Sequence, residues 1–408
     1  MEKQDEKHLI TNFISVIIYL EGGYQMLLSS PPLNYQEQKA IEDIHQIRDN
    51  VKYALRAPRR WVGLLRRNML ARNIRGSNSI EGYDVTAEDA IAAVAGEEPL
   101  DAQREAWAAV SGYRAAMTYV LQLASDPHFM YSDGFIRSLH FMMTGYDLTK
   151  NPGRWRPGPI YVRDEGKGEI VYEGPSFELV PGLMSELLAQ LNQEQQPRVM
   201  VNAAMAHLNL VMIHPFSDGN GRMARALQTL VLAREGILES PFCSIEEYLG
   251  RNTLEYYEVL AAIGKGSWNP SNDARPWLDF CITAHFIQAS TILRRIVETD
   301  RIWSELEQLI KIHRLPDRVL YALSDATLGF KVRNSTYRAV AEIADAVASR
   351  DLKSLVDAGL LTPDGEKRGR GYVASPILVR IREKTREPKQ PPPKFFEELY
   401  LPGLEPEA

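Results

Sequence analysis

Cysteine is nearly absent from this chain of 408 residues: Cys243 and Cys281 are the two present, and they form no Cys-x-x-Cys spacing. Neither a disulfide framework nor a thiolate metal site is indicated, and a reducing, cytoplasmic setting is the expectation. Long apolar runs are also missing, since no stretch approaches the roughly 18 residues of a membrane-spanning helix. The nearest, Leu9–Leu20, follows Glu2, Asp5 and Glu6, the wrong charge for a secretory leader, and reads as a packed segment. No sign of charge dominates. With 47 Lys and Arg against 53 Asp and Glu, the net charge of -6 argues against wholesale nucleic-acid binding but leaves local basic patches open. Internal repeats are not evident, and strand signals are sparse before residue 360. What remains is an ordinary globular composition, 45% hydrophobic and 25% charged, in a chain longer than one core usually spans.

Against this plain background one loop stands out: His214-Pro215-Phe216-Ser217-Asp218-Gly219-Asn220-Gly221-Arg222-Met223-Ala224-Arg225. Its glycines allow backbone N–H groups to approach an anion, and a helix starting after them adds its positive dipole end. Arg222 and Arg225, three apart, share a helix face and suit neighbouring phosphates. Asp218 is a hard oxygen ligand suited to magnesium bound along with phosphates. His214 is the side chain best placed to act as a general base near neutral pH. A base, a metal ligand, an anion cradle and a clamp together point to phosphoryl or nucleotidyl transfer. The apolar segment Val201–Ile213 reads as a helix that delivers His214 to its end, with His207 a packed core histidine. Upstream, Ile160-Tyr161-Val162 and Ile170-Val171-Tyr172 flank a Gly-containing turn at 164–168 and predict a β-hairpin.

The loop resembles the Fic family signature HPFx(D/E)GNGRxxR at every fixed position. That resemblance implies a mainly α fold, a Fic helical core with a short β-hairpin flap, and transfer of AMP from ATP to a Tyr, Thr or Ser hydroxyl of a protein target. In those terms His214 is the catalytic base and Asp218 holds Mg2+. Gly219, Asn220, Gly221, Arg222 and Arg225 bind the phosphates, and Tyr257 lies beside the nucleobase. The hairpin residues Ile160, Tyr161, Val162, Ile170, Val171 and Tyr172 would align the target by β-augmentation. Ser77-Asn78-Ser79-Ile80-Glu81-Gly82 matches the family's (S/T)xxxE(G/N) inhibitory motif, so Ser77 and Glu81 are expected to block Arg225 where the γ-phosphate would bind. One departure is Gly264, seven residues past Tyr257, where some members carry Asn; base specificity is the less secure for it. Related enzymes transfer other phosphate-containing groups or remove AMP, and a DNA-binding regulator with a nucleotide-sensing Fic domain is the reading from a different class.

The expected organisation is an N-terminal extension (1–40), helices carrying the inhibitory motif (41–129), the Fic core (130–285), a connecting helix (286–314), a small winged helix-turn-helix domain (315–382) and a disordered tail (383–408). The basic run Arg56, Arg59, Arg60, Arg66 and Arg67 reads as a solvated helix face. In the C-terminal module the wing Glu366–Arg370 is basic, whereas Asp351 and Asp357 flank the second helix and would repel a DNA backbone. Dimerisation or target docking is therefore favoured for it over DNA binding. ATP, a hydroxyl-bearing protein and a homodimer partner are the expected associations, with no membrane.

Overall fold

The computed structural model describes residues 26–56, 59–99, 102–163, 168–193, 198–365, 370–389 and 395. The Leu9–Leu20 segment, the hairpin turn at 164–167, the wing at 366–369 and the tail beyond 395 lie outside the described residues. Helices dominate, as the sequence implies. The first are α1 (Tyr35–Arg56), α2 (Val62–Ile80), α3 (Ala87–Ala95), α4 (Arg104–Ala124) and α5 (Asp133–Thr144). Thr86 caps α3 by accepting the Asp89 N–H at 3.0 Å, and Gly96 ends it in the left-handed region at φ 75°. Strands β1 (Tyr161–Arg163) and β2 (Ile170–Glu173) form the hairpin, followed by α6 (Val180–Leu191). Then come α7 (Val199–Ile213), α8 (Asn220–Arg234), α9 (Ser240–Cys243), α10 (Glu246–Arg251) and α11 (Thr253–Gly264).

The centre is the pair α7 and α8. Both are apolar or buried on nearly every side, down to Leu208, Leu210, Met223 and Leu227 at 0% exposure, which marks helices surrounded by others. His207 sits there with Nδ1 2.6 Å from Gln228 Oε1 and Nε2 3.0 Å from the Tyr256 hydroxyl. Burial pushes its pKa down to about 3, so it is a neutral packing residue. The two-residue strand β3 (Gly266–Ser267) pairs parallel to β2 and makes a three-stranded sheet in the order β1-β2-β3. Gly-Ser carries no strand propensity, so β3 owes its form to the neighbour it meets.

Helix α2 is pressed onto the core by a close crossing with α10. A Cβ on Gly250 would lie 2.6 Å from the Gly76 Cα and 2.7 Å from its carbonyl oxygen, so only glycines allow the approach. Gly250→Ala is expected to cost about 1–3 kcal/mol by overpacking. A thermal melt should fall by several degrees; an unchanged melting temperature would mean that the crossing is not tight.

A single helix, α12 (Arg275–His313, 39 residues), runs through the position 285/286 at which the connecting helix is expected to begin. It leads to α13 (Leu320–Thr327), α14 (Asn334–Ala341), α15 (Asp345–Asp357), the antiparallel pair β4 (Leu361–Asp364) and β5 (Gly371–Ala374), and α16 (Pro376–Thr385). Three short helices followed by a hairpin are thus present, with an added bridge between Val332 and Tyr372. Asp351 does not face outward as the sequence reading held. It is buried, accepting from Arg318 Nε and Nη2 at 2.7 and 2.9 Å and from the Tyr337 hydroxyl at 2.8 Å. The basic run is corrected too: Arg59 pairs with Asp300, Arg60 with Asp317 (2.9 Å), Arg66 with Glu239 (2.6 Å) and Arg67 with Asp325 (2.5 Å). These charges tie α2 and its lead-in to later elements instead of facing solvent alone. Part of the segment expected to be a disordered tail has a defined place: α16 runs to Thr385, Glu387 pairs with Arg301 at 2.6 Å, and Phe395 meets Phe286 edge-on at 4.8 Å.

Candidate active site

The loop between α7 and α8 brings the signature residues together. His214 ends α7 in the left-handed region at φ 51°, an uncommon conformation for a residue with a side chain. Its Nδ1 lies 3.0 Å from the Val211 carbonyl oxygen. A carbonyl only accepts, so Nδ1 carries the proton and Nε2 keeps its lone pair. Burial holds the imidazole below its ordinary pKa of 6.5, with the Val211 carbonyl opposing the shift. Asn220 spends its amide inside the loop, accepting from Phe216 N and donating to Phe216 O, both at 2.9 Å. Its side chain therefore shapes the turn and leaves its backbone N–H at the start of α8. Gly219, at φ 78°, makes the entry turn, and the first bond of α8 runs from Met223 N to Gly219 O at 2.9 Å. The N–H groups of Asn220, Gly221 and Arg222 precede that ladder, where helix starts collect anions.

Both arginines are buried below. Arg225 donates Nε to Ser77 Oγ at 2.7 Å, and Nη2 to the Ser77 carbonyl at 2.9 Å and to Glu81 Oε1 at 2.7 Å. Burial alone would lower the Arg225 guanidinium; the Glu81 carboxylate outweighs it and holds the pKa above the ordinary range. Glu81 Oε1 also sits directly over Gly221, where a Cβ would collide with it. The carboxylate thus fills the mouth of the cradle as well as engaging the arginine. Arg222, 0% exposed, is the less satisfied. Among the described residues none of its three nitrogens has a hydrogen bond, its nearest carboxylate oxygen is Asp218 Oδ2 at 3.5 Å, and its guanidinium lies 5.2 Å from the Tyr83 ring centre. A buried, under-bonded cation costs several kcal/mol unless an anion arrives, on the order of 1–3 or more per group. These unmet N–H donors have the chemistry to receive an anion.

Asp218 brings in a residue the sequence reading missed. Lys150 Nζ lies 3.0 Å from Asp218 Oδ2 and 2.7 Å from the Tyr83 hydroxyl, with Tyr146 at 3.4 Å. Burial would lower the Lys150 ammonium, but Tyr83 and Asp218 together hold it above its ordinary range. Asp218 itself is held low: burial opposes this, while Arg222 and Lys150 outweigh it. Among the described residues no group of three or more His, Cys, Asp or Glu side chains gathers to cage a metal. One carboxylate does fit a hard cation that arrives with phosphates, with Lys150 displaced from it.

Two further residues position the loop. His140 stacks on Phe216 at 3.7 Å and 4°, accepts the Gly153 N–H on Nδ1 and donates Nε2 to the Asp218 carbonyl, both at 2.9 Å. Burial lowers it to about 4, so it stays neutral. Arg156 donates Nε to the His214 carbonyl at 2.9 Å and Nη1 to Gly158 O at 2.7 Å, and also reaches Pro175 O, fastening the hairpin base to the signature loop. In the hairpin, Tyr161, Ile170 and Val171 are exposed, Val162 is half-buried, and Ile160 lies just before β1, its carbonyl accepting from Gly174 N at 3.2 Å. Tyr172 departs from the expected docking role. It is buried and donates its hydroxyl to Met212 O at 2.7 Å, so it anchors the hairpin to α7. Its ring also explains Gly264, where a Cβ would come within 2.9 Å of Tyr172 Cδ2. Tyr257, 46% exposed, donates to the Ile80 carbonyl at 3.0 Å and so touches the end of α2.

Residues 132–232 match the Fic/DOC family profile. The chain is 31% identical over 173 residues to the protein adenylyltransferase Fic of Culex quinquefasciatus, covering 42% of this chain and 31% of that relative. With the protein adenylyltransferase Fic of Nematostella vectensis it shares 26% identity over 265 residues, or 61% of this chain and 55% of the relative. The chain thus spans 31% and 55% of the length of these two curated relatives. A crystal structure of a Fic family protein from Desulfovibrio desulfuricans superposes with a TM-score of 0.55 at 22% identity, covering 86% of this chain and 99% of that one. The fold is a helical Fic core with a small β-hairpin, and its 132–232 segment is similar to the Fic/DOC family in sequence as well.

Proposed function

We propose that this chain is a protein adenylyltransferase restrained by its own Glu81. It moves AMP from ATP to a Tyr, Thr or Ser hydroxyl of a protein target, itself included. The observation that carries this reading is the under-bonded Arg222 beside Arg225, which is already occupied by a carboxylate, at the same helix start that faces His214. In the reaction the target oxygen forms a bond to the α-phosphorus while the bond from that phosphorus to the α–β bridging oxygen breaks. Pyrophosphate leaves, and the hydroxyl proton passes to His214 Nε2. N–H groups at the start of α8 stabilise charge on the α-phosphate. Arg222 holds the β-phosphate, and Arg225 the γ-phosphate once Glu81 has withdrawn. Mg2+ held by Asp218 supplies charge neutralisation at the phosphates when bound. The free edge of β1 aligns the target strand, and Tyr257 flanks the base. ATP labelled at either the α- or the γ-phosphate, offered with magnesium to the Glu81→Gly variant and a cell lysate, tests this. Protein-bound label from the α-position supports AMP transfer; label from the γ-position alone would instead mean phosphate transfer.

A further inference from the structure

On the face of α2 away from Arg225 lies a second pocket of about 270 Å³, near the lower limit of small-molecule sites of roughly 300 Å³. Its walls come from four parts of the chain: Asn68, Arg72, Arg75 and Ser79 on α2, the start of α3, Arg251 on α10, and Phe330 ahead of α14. Donors converge on it. Asn68 is 3% exposed, and its Oδ1 accepts from Arg67 while its Nδ2 has no hydrogen-bond partner among the described residues. Arg72 lies with its guanidinium 5.3 Å from the Phe330 ring centre. The acidic residues do not balance this. Three guanidiniums line the pocket against Asp84 and Glu247, and Glu247 is shared among Arg295 at 2.6 and 2.7 Å, Arg251 at 2.6 Å and Arg72 at 3.7 Å. Arg75 spends its Nε on the Val85 carbonyl at 2.9 Å, so the positive charge exceeds the carboxylates although each of these arginines has a partner. The surplus registers on Arg72, which is lowered to about 10, first by burial and then by Arg295.

We propose that this pocket is a second anion site that takes a compact phosphate-bearing molecule and, by joining Arg72 and Ser79 of α2 to Arg251 of α10, holds the inhibitory helix against the core. Guanidinium forks and an unpaired amide N–H suit phosphate oxygens, and a ligand that bridges two elements stabilises the arrangement in which both contact it. Binding at the pocket is independent of the group the signature loop transfers, whereas its inhibitory consequence rests on Glu81 acting as the proposed brake.

The test uses the full chain with pyrophosphate as the probe and AMP as a second arm, which separates free polyphosphate from a nucleotide's phosphate as the source. Calorimetric titration is compared across wild type, Arg72→Gln, Arg251→Gln, Asn68→Leu and, as the signature-loop control, Arg222→Gln. Saturable binding of either probe should weaken about tenfold or more in Arg72→Gln and in the largely exposed Arg251→Gln, and persist in Arg222→Gln. Amide exchange across 68–81 should slow on probe addition to wild type but not to Arg251→Gln. Binding lost only in Arg222→Gln, no saturable binding of either probe, or slowed exchange that survives Arg251→Gln would each overturn the proposal.

Discussion

His214→Ala, made in a Glu81→Gly background so that the brake does not mask it, is expected to slow transfer by roughly 10²–10⁴-fold, the usual worth of a positioned general base. ATP affinity should change by no more than about twofold, because the anion site is built from the start of α8, Arg222 and Arg225, not from the imidazole. Single-turnover labelling set beside an ATP titration separates the two effects. The proton bookkeeping sharpens the expectation. The Val211 carbonyl accepts a hydrogen bond from Nδ1–H, leaving Nε2 as the free base, and burial depresses the pKa below 6.5. A base with a lowered pKa stays unprotonated further into acid, so the acid limb of the rate profile should fall below pH 6.5 and not above it. A rate that survives His214→Ala would place the base elsewhere.

Glu81→Gly is expected to raise labelling by about 10–100-fold at limiting ATP, the equivalent of exchanging one charge-assisted hydrogen bond worth roughly 1.5–3 kcal/mol for a phosphate contact. The same substitution strips buried Arg225 of its carboxylate. Without ATP the variant should therefore be less stable by about 1–3 kcal/mol, and saturating ATP should restore most of that loss by mass action. Ser77 continues to hold Nε at 2.7 Å, which keeps the guanidinium aimed at the cleft. Denaturant melts with and without ATP read the stability, and α-labelled ATP reads the rate. Unchanged labelling together with unchanged stability would reduce Glu81 to a helix-end residue.

Legibility from the sequence followed residue type. In 214–225 each side chain is chemically distinctive and its spacing is local, so a base, a carboxylate and two arginines were visible as a unit. The Glu81–Arg225 contact spans 144 positions, and no local pattern predicts it; only resemblance to a family motif brought the two together. Lys150 was invisible because a lone lysine in a turn reads as solvated, and only folding sets it on Asp218. His140 and Arg156 belong to no motif of their own; only the folded loop, where they reach the Asp218 and His214 carbonyls, gives them a task. Tyr172 alternates correctly for a strand, but which face is covered depends on α7, which the strand pattern does not contain. For Asn220 the turn-shaping role of the amide is not legible before the turn is seen, because it depends on where the Phe216 backbone lies.

The central claim is that the Glu81 carboxylate stands where the terminal phosphate of ATP would meet Arg225. It is tested most directly by measuring the Kd of ATP and of ADP for wild type and for Glu81→Gly. With Arg225 blocked, wild type should bind the two within about threefold of each other. In Glu81→Gly, ATP should pull ahead of ADP by about tenfold or more, since one charge-assisted contact at the γ-phosphate is gained by ATP alone. An equal gain for both nucleotides, or none for either, would contradict the account.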